Sequence, residues 1–415
     1  MVLPMELTAT ELTTPVLLVD EAQLDRNLRD MAASAAGRGI RLRPHAKTHK
    51  TAEIARRQLD LGAVGLTVAT IGEAEQFADA GMTDLFIAYP VWPSPARRSR
   101  IEALAERIRL RLAVESTQAA AGLAQLSRLT SPPEILVEVD SGHHRTGVSP
   151  TQAGEVASAV AGAGLPVAGV FTFPGHSYAP GARAQAAQDE AAALAVASAA
   201  LRAAGVEAVG ADSAESAGRR DADADGRVDG GRAGGEPTGG EPGGGEPTGG
   251  EPTGGEPGGG ERSGGSTPSA ALRAEPPLTE LRPGVYVFND AQQLELGVCG
   301  SDQIALAAAA TVVSSHESRR FVLDAGSKVL GADRQPWSTG FGRLPNWPDA
   351  RIVAISEHHA TVLLPPGSVG PEPGELVAVV PNHVCTAVNL ADELLIVRDG
   401  DVVGSWRVMA RGANR

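Results

Sequence analysis

The sequence is poor in cysteine, with only Cys299 and Cys385 in 415 residues. Two cysteines cannot build a disulfide framework, which leaves packing or metal binding as their use. No run of about 18 apolar residues occurs, so a bilayer-spanning helix is excluded. The opening MVLPMELTATELTTP lacks the basic and apolar regions of a secretory leader, and a cytoplasmic location is expected. Basic charge is also short: Lys plus Arg number 36 against 50 for Asp plus Glu, a net charge of −14. Neither a nucleic acid nor an anionic membrane is therefore expected as a partner.

Apolar residues, in contrast, make up 42% of the chain, enough for the core of one large domain or two. The 50 glycines are concentrated, since residues 234–258 hold five successive GGEPT or GGEPG units. Around them, residues 210–262 have no hydrophobic periodicity and carry 12 acidic against 5 basic residues. Proline in every unit blocks helix and ladder alike, and the period is too short for a solenoid. The stretch is predicted to be a disordered Gly/Pro/Glu-rich insertion in a loop.

Elsewhere short aliphatic runs alternate with stretches of helical period, such as Leu24, Leu28 and Met31 at i, i+4 and i+7. With PVLLVD as an entry strand, eight further runs read as strands joined by helices: IRLRPHAK, VGLTVAT, DLFIAYP, LRLAVES, PEILVEVD, PVAGVFTF, GVEAV and ELRPGVYVF. The pattern predicts an α/β fold with a (β/α)8 TIM-type barrel over residues 15–296, interrupted at 210–262, and not an open doubly wound sheet. Beyond 297 strands follow one another with little helix, which predicts a C-terminal mainly-β domain over 297–415, joined by residues 1–14.

Barrel chemistry belongs at the C-terminal ends of the strands. Four such ends stand out: RPHAKTHK (43–50), VEVDSGHHRTGV (137–148) with Asp140, His144 and Arg145, VFTFPGHSY (170–178) with His176 and Tyr178, and SGGSTPSA (263–270). The basic residues of the first are costly to bury without partners, so they either face solvent or form a site. The small residues of the last can present backbone N–H groups to a phosphate, although most such loops are plain turns. In the β domain, His383 and Cys385 flank one residue and are expected on one face of a strand, about 7 Å apart. They suit an open zinc position, against the alternative of a core cysteine beside an unrelated histidine.

Taken in order, RPHAKTHK, GLTVATIGEAE, VEVDSGHHRTGV, FPGHSY, SGGSTPS, LRPGVYVFND, LDAGSKVL and PNHVCTAVNL resemble the D-threonine aldolase and D-serine dehydratase-like enzymes. These are pyridoxal phosphate enzymes of the alanine racemase fold type. The resemblance covers nearly all of the chain except the glycine-rich insertion. It implies that Lys47 holds pyridoxal 5'-phosphate as a Schiff base and that Arg145 approaches the cofactor's phenolic oxygen. By the same resemblance Gly265, Ser266 and Thr267 bind its phosphate, Tyr286 adds a contact, and His176 is a catalytic imidazole. His383 and Cys385 match the family's metal pair, and the soft thiolate favours Zn2+ over magnesium or manganese. The activity this implies is a pyridoxal phosphate- and metal-dependent lyase acting on small D-β-hydroxy-α-amino acids, in a homodimer. Retro-aldol cleavage to glycine and an aldehyde is preferred; dehydration to a 2-oxo acid and ammonia is the alternative, and racemisation a more distant one. Phe173 departs from the pattern, standing where a more polar side chain is expected. The insertion departs from it too, falling between GVEAV and SGGSTPS, so that either ERSGG re-enters the barrel alone or GVEAVG supplies the strand and the chain loops back.

Overall fold

Strand β1 (Val16–Asp20) ends on Asp20, whose carboxylate accepts the Gln23 N–H at 2.9 Å and opens α1 (Glu21–Ala36). Leu24 and Leu28 are buried along one face of this helix, as their spacing predicts. The computed structural model describes residues 12–209, 260–317 and 319–415.

Eight parallel strands follow: β2 (Arg41–Leu42), β3 (Leu66–Val68), β4 (Asp84–Pro90), β5 (Arg109–Val114), β6 (Glu134–Glu138), β7 (Val167–Phe171), β8 (Glu261–Gly264) and β9 (Glu280–Leu281). From β3 onward each pairs with the next, and β9 pairs with β2. Thr67 exchanges backbone bonds of 2.8 Å with Pro44 and Ala46, joining β2 to β3 and closing the barrel. Outside lie α2 (Ala52–Asp60), α3 (Ile71–Asp79), α4 (Pro95–Ala105), α5 (Thr117–Leu123), α6 (Ala153–Gly162) and α7 (Arg183–Ala203). Their apolar faces, with Ala55, Phe77, Ile101, Val156 and Leu194, form one core with the outward side chains of the strands.

The structure decides between the two candidates for the barrel strand that precedes SGGSTPS. Residues 205–209, GVEAV, form no ladder, although the Val209 N–H donates to Val167 O at 2.8 Å. Glu261–Gly264 takes that place between β7 and β9, because its alternate residues Glu261 and Ser263 suit a polar interior that valines would leave unpaired. The predicted insertion at 210–262 lies outside the described residues except for Gly260, Glu261 and Arg262.

The period of two places every second strand residue inside the barrel. At the N-terminal end this interior is ionic. Glu280 accepts from Arg43 at 2.8 Å and lies 3.2 Å from Arg111, while Arg111 reaches Glu134 at 2.9 Å and Arg43 also pairs with Asp84. Arg41 pairs with Glu261, and Ser263 donates to Glu280 at 2.7 Å. Above this floor sit Phe86, Ala113, Leu136, Ala168 and Phe171. Arg282 stacks on Phe86 and Phe171 at 5.5 and 5.0 Å and faces the open end.

A second sheet contains β10 (Leu306–Glu317), β11 (Arg320–Leu323), β12 (Gly342–Arg343), β13 (Arg351–Ile355), β14 (Ala360–Leu363), β15 (Leu376–Pro381), β16 (Glu393–Arg398) and β17 (Asp401–Arg407). The short helices α8 (Ala291–Glu295), α9 (Ser327–Leu330) and α10 (Val384–Leu390) interrupt it. Strand β1, read from the sequence as the barrel's entry, belongs here, antiparallel to β10 and parallel to β16. Of the predicted joining segment 1–14, residues 1–11 lie outside the described residues, and Thr14 donates to Asp324 at 2.6 Å. Ala307–Ala310 are buried on both faces of β10, where only small side chains fit, so packing overrides their helix propensity. A common core of Leu24, Leu28 and Ile54 with Leu306, Val379 and Ile396 ties this sheet to the barrel.

The ionic floor generates a prediction. Burial alone would raise the Glu280 pKa, but Arg43 and Arg111 outweigh it and set it at about 2, against an ordinary 4.5. Its contribution is therefore whole above about pH 4.5 and is lost as pH falls toward 2. Urea denaturation of Glu280→Gln at neutral pH is expected to show a loss of about 3–5 kcal/mol. The exposed pair of Arg107 with Asp79 is the control, and Arg107→Ala should cost less than about 1 kcal/mol.

Candidate active site at the barrel mouth

At the C-terminal ends of the strands a cleft of about 380 Å³ opens between the barrel and the second sheet. Its walls include His45, Lys47 and Thr48 after β2, His143 after β6, Phe173 and Tyr178 after β7, and Gly265–Thr267 after β8. Arg282 and Gly284 after β9 and His383 and Cys385 of the second sheet complete it.

Lys47 sits in a turn whose next basic residue turns away. Lys50 has a left-handed φ of 53°, and its ammonium is buried on Glu73 at 2.9 Å and on the Ala410 carbonyl at 3.1 Å. Lys47 is thus the lysine of this loop that faces the cleft, its Nζ 5.8 Å from the Phe173 ring centroid. Burial, with Lys47 and Arg282 nearby, pushes the His45 pKa well below 6.5 and keeps that imidazole neutral. His49 is also held neutral, at about 4, by burial, and packs edge-on to Phe77 away from the cleft.

The loop after β8 forms a cradle. Gly265 has φ +86°, and a Cβ there would stand 2.6 Å from Leu281 Cδ2, so only glycine fits. Its N–H donates to Glu190 at 2.5 Å, and burial raises the pKa of that carboxyl to about 7. Ser266 Oγ is 2.8 Å from Ser177 Oγ and 3.0 Å from Ser269 Oγ, while Thr267 Oγ1 accepts the Tyr286 N–H at 3.1 Å. Gly284 lets the facing backbone approach, because a Cβ there would lie 2.7 Å from Thr48 Oγ1. Small residues, hydroxyls and the cations Lys47 and Arg282 suit the phosphate and ring of pyridoxal phosphate, and the volume suits a ligand of that size.

Three expected residues stand elsewhere. The Tyr286 side chain runs into the core, where its hydroxyl accepts from Gln58 at 2.9 Å, so only its backbone touches the cradle. Arg145 is outside the cleft walls, stacked 5.0 Å from the same Phe173 ring that Lys47 approaches. Phe173, unexpected from the pattern, is thus a shared platform for two cations. His176 points away from the cleft, with Nε2 3.3 Å from Asp189 Oδ2. Of His143 and His176, the first faces the cleft, 5.5 Å from the Phe173 ring and edge-on to it. Burial, then Arg145 and His176, lowers its pKa and favours the neutral form. Only its place in the Gly-flanked turn marked it in the sequence.

His383 and Cys385 were expected on a strand, but β15 stops at Pro381. His383 is instead the N-cap of α10 and Cys385 its second residue, because Asp290 accepts the Val384 N–H at 3.2 Å and turns the chain into a helix. Asp290 is fully buried, also caps α8 through Gln293 N–H at 2.9 Å, and lies 3.4 Å from His383 Nδ1, too poorly aligned to bond it. Burial opposes charge on both members of the pair, yet their mutual attraction wins: the His383 pKa is raised well above 6.5 and that of Cys385 is lowered. Cys385 Sγ and Thr48 Oγ1 are hydrogen-bonded at 3.3 Å. A cysteine sulfur beside a buried, unbonded imidazole nitrogen is a donor set that fits zinc. Among the described residues no three His, Cys, Asp or Glu side chains gather to hold a metal, so such a site would keep open positions.

Comparisons with known proteins match both layers of the fold. The family model for the alanine racemase N-terminal domain matches residues 19–242, and a model named for a serine dehydratase domain matches residues 305–397. The chain is 30% identical to a D-threonine aldolase from Arthrobacter sp, over 97% of this chain and 93% of that one. Among solved structures, a D-threonine aldolase from Filomicrobium marinum superposes with a TM-score of 0.75 at 28% identity, over 97% of this chain and 96% of that one. A D-threo-3-hydroxyaspartate dehydratase from Delftia sp. HT23 superposes with a TM-score of 0.77 at 28% identity, over 96% of this chain and 98% of that one. That dehydratase is also solved as a cysteine-to-alanine mutant in the metal-free form.

Asp290→Ala strips two buried N–H groups of their acceptor and is expected to cost about 1–3 kcal/mol in urea denaturation. Zinc affinity, read by competition with a chelator, should fall about 10–100-fold, as for other groups that orient a ligand. Asp290→Asn keeps an acceptor for one of the two N–H groups only and should recover part of the stability.

Proposed function

The chain belongs to the alanine racemase-fold family of D-threonine aldolase and D-threo-3-hydroxyaspartate dehydratase, and on that premise we propose that it is a pyridoxal phosphate- and metal-dependent lyase for D-β-hydroxy-α-amino acids. One observation carries the reading: Lys47, the cradle Gly265–Thr267 and the pair His383 and Cys385 face a single cleft. A racemase has no use for that pair. Lys47 would hold the cofactor, Gly265, Ser266 and Thr267 its phosphate, and His383 with Cys385 a zinc ion. Arg145 would act on the cofactor's outer edge through the Phe173 platform. Bound together, the cofactor would supply an electron sink at Cα and the ion a Lewis acid for the β-hydroxyl.

The chain's own groups divide the remaining work. His143, kept neutral, is the base proposed to take the β-hydroxyl proton as the Cα–Cβ bond opens. Lys47 returns a proton at Cα. Phe173, Tyr178 and the second sheet exclude water from the cleft floor. Retro-aldol cleavage is the preferred reaction and dehydration the alternative. The names of the relatives leave the β-substituent open, methyl in D-threonine or carboxylate in 3-hydroxyaspartate. A homodimer in the cytoplasm is the proposed setting; among the described residues no helix is long and apolar enough to cross a membrane.

Incubation with D-threonine, D-serine and D-threo-3-hydroxyaspartate, with assay of glycine plus aldehyde against 2-oxo acid plus ammonia, tests the reaction. Lys47→Ala is expected to abolish turnover and the visible absorption of the bound cofactor, whereas Lys50→Ala, which breaks the Glu73 pair, should retain that absorption. A chelator is expected to stop cleavage while the cofactor absorption persists; full activity without metal would exclude the zinc assignment.

A further inference from the structure

One cation of the cleft has no task in the reaction above. Arg282 is buried, donates to the Thr172 carbonyl and is stacked on Phe86 and Phe171, and Lys47 is committed to the cofactor. Arg334 differs. It is an exposed residue of the cleft wall, its guanidinium carbon 5.3 Å from the centroid of the Phe341 ring, and it makes no ion pair among the described residues. The aromatic face steadies the guanidinium and leaves its N–H donors open.

The loop that carries Arg334 is fastened to the turn that carries His383 and Cys385. Asn382 Nδ2 donates to the Asp333 carbonyl at 3.0 Å, and the Thr386 hydroxyl donates to the Asp333 carboxylate. Asn382 and Thr386 bracket the metal pair in the chain. Gly331, with φ +75°, closes the approach, since a Cβ there would stand 2.9 Å from Thr386 Cγ2. Arg334 is therefore held on the side of the cleft where the β-hydroxyl is bound, next to whatever else the β-carbon carries. Asp333 does not oppose an anion there, because its carboxylate is turned to Thr386.

We propose that Arg334 selects substrates whose β-carbon carries a carboxylate, so that the preferred class is the dicarboxylic D-β-hydroxy-α-amino acids of the 3-hydroxyaspartate type and not D-threonine or D-serine. The proposal rests on the lyase reading above. Guanidinium and carboxylate match as a paired donor and acceptor, whereas a methyl group or hydrogen at that place leaves the guanidinium unused.

The test is kcat/KM of the holoenzyme, loaded with cofactor and zinc, on D-threo-3-hydroxyaspartate and on D-threonine. Glyoxylate with glycine, or oxaloacetate with ammonia, is read from the diacid. The wild type is expected to favour the diacid, and Arg334→Gln to lower the diacid-to-threonine ratio about 10–100-fold, the worth of a charged hydrogen bond. A second readout needs no turnover: D-aspartate should inhibit the wild type more strongly than D-2-aminobutyrate, and Arg334→Gln should erase the difference while Arg334→Lys keeps part of it. A ratio unchanged in Arg334→Gln, or an equal fall on both substrates, overturns the proposal, the latter by showing that the guanidinium binds the carboxylate common to both. Failure of the wild type to cleave any β-hydroxy amino acid would instead overturn the lyase reading.

Discussion

The contact on which the rest depends is the buried pair of Arg43 with Glu280, 2.8 Å long, where the first strand of the barrel meets the last. Both strands are only two residues long, too short for backbone bonds alone to fix them. Each then continues directly into the site. Four residues beyond Arg43 the chain reaches Lys47, and four beyond Glu280 it reaches Gly284, whose close approach to Thr48 sets one wall of the cleft. Arg111 shares the same carboxylate oxygen at 3.2 Å and is itself paired with Glu134 at 2.9 Å. A buried pair of this kind adds little net stability over an apolar core, but it penalises any misregister heavily. The floor of the barrel thereby sets the geometry of its mouth.

The site lies between two layers and not inside one. Lys47 and the Gly265–Thr267 loop come from the barrel, and His383 with Cys385 from a turn after β15, yet Asp290, nine residues beyond Leu281 at the end of the last barrel strand, holds that turn. The shared core that includes Leu24, Leu28 and Ile54 makes the two layers one packed body at this seam. His383 and Cys385 are therefore positioned against Lys47 by buried side chains, as the proposed chemistry, which needs both at once, would require.

Much of this was legible in the sequence because it is local. The barrel rhythm follows from periodicity, and Lys47, Gly265–Thr267, His383 and Cys385 stand in short motifs at strand ends. What was not legible depends on partners distant in the chain. Arg43, Arg111 and Glu280 look like polar interruptions of apolar strands until the barrel closes and brings them together. GVEAV and ERSGG compete for one barrel place in the sequence, and the inward polar side chains of Glu261 and Ser263 favour the second. His383 to Cys385 read as strand because the Asp290 that turns it into a helix lies 93 residues earlier. His176 and His143 have similar surroundings in the sequence, and only the fold decides which faces the cleft.

One junction has a practical side. Val209 bonds to the start of β7, and a side chain at Gly260 would touch Ala208, so the chain leaves and re-enters at neighbouring points on the floor end of the barrel, away from the mouth. A break between them divides the molecule into two pieces, neither of which has a whole site. One keeps Lys47, His143 and Arg145; the other keeps Gly265–Thr267, Arg282, His383 and Cys385. The first piece also supplies β1 to the middle of the second sheet, between β10 and β16. Such halves would be mutually dependent, and recovered turnover in a mixture would report their association, which makes this enzyme a natural candidate for a split reporter.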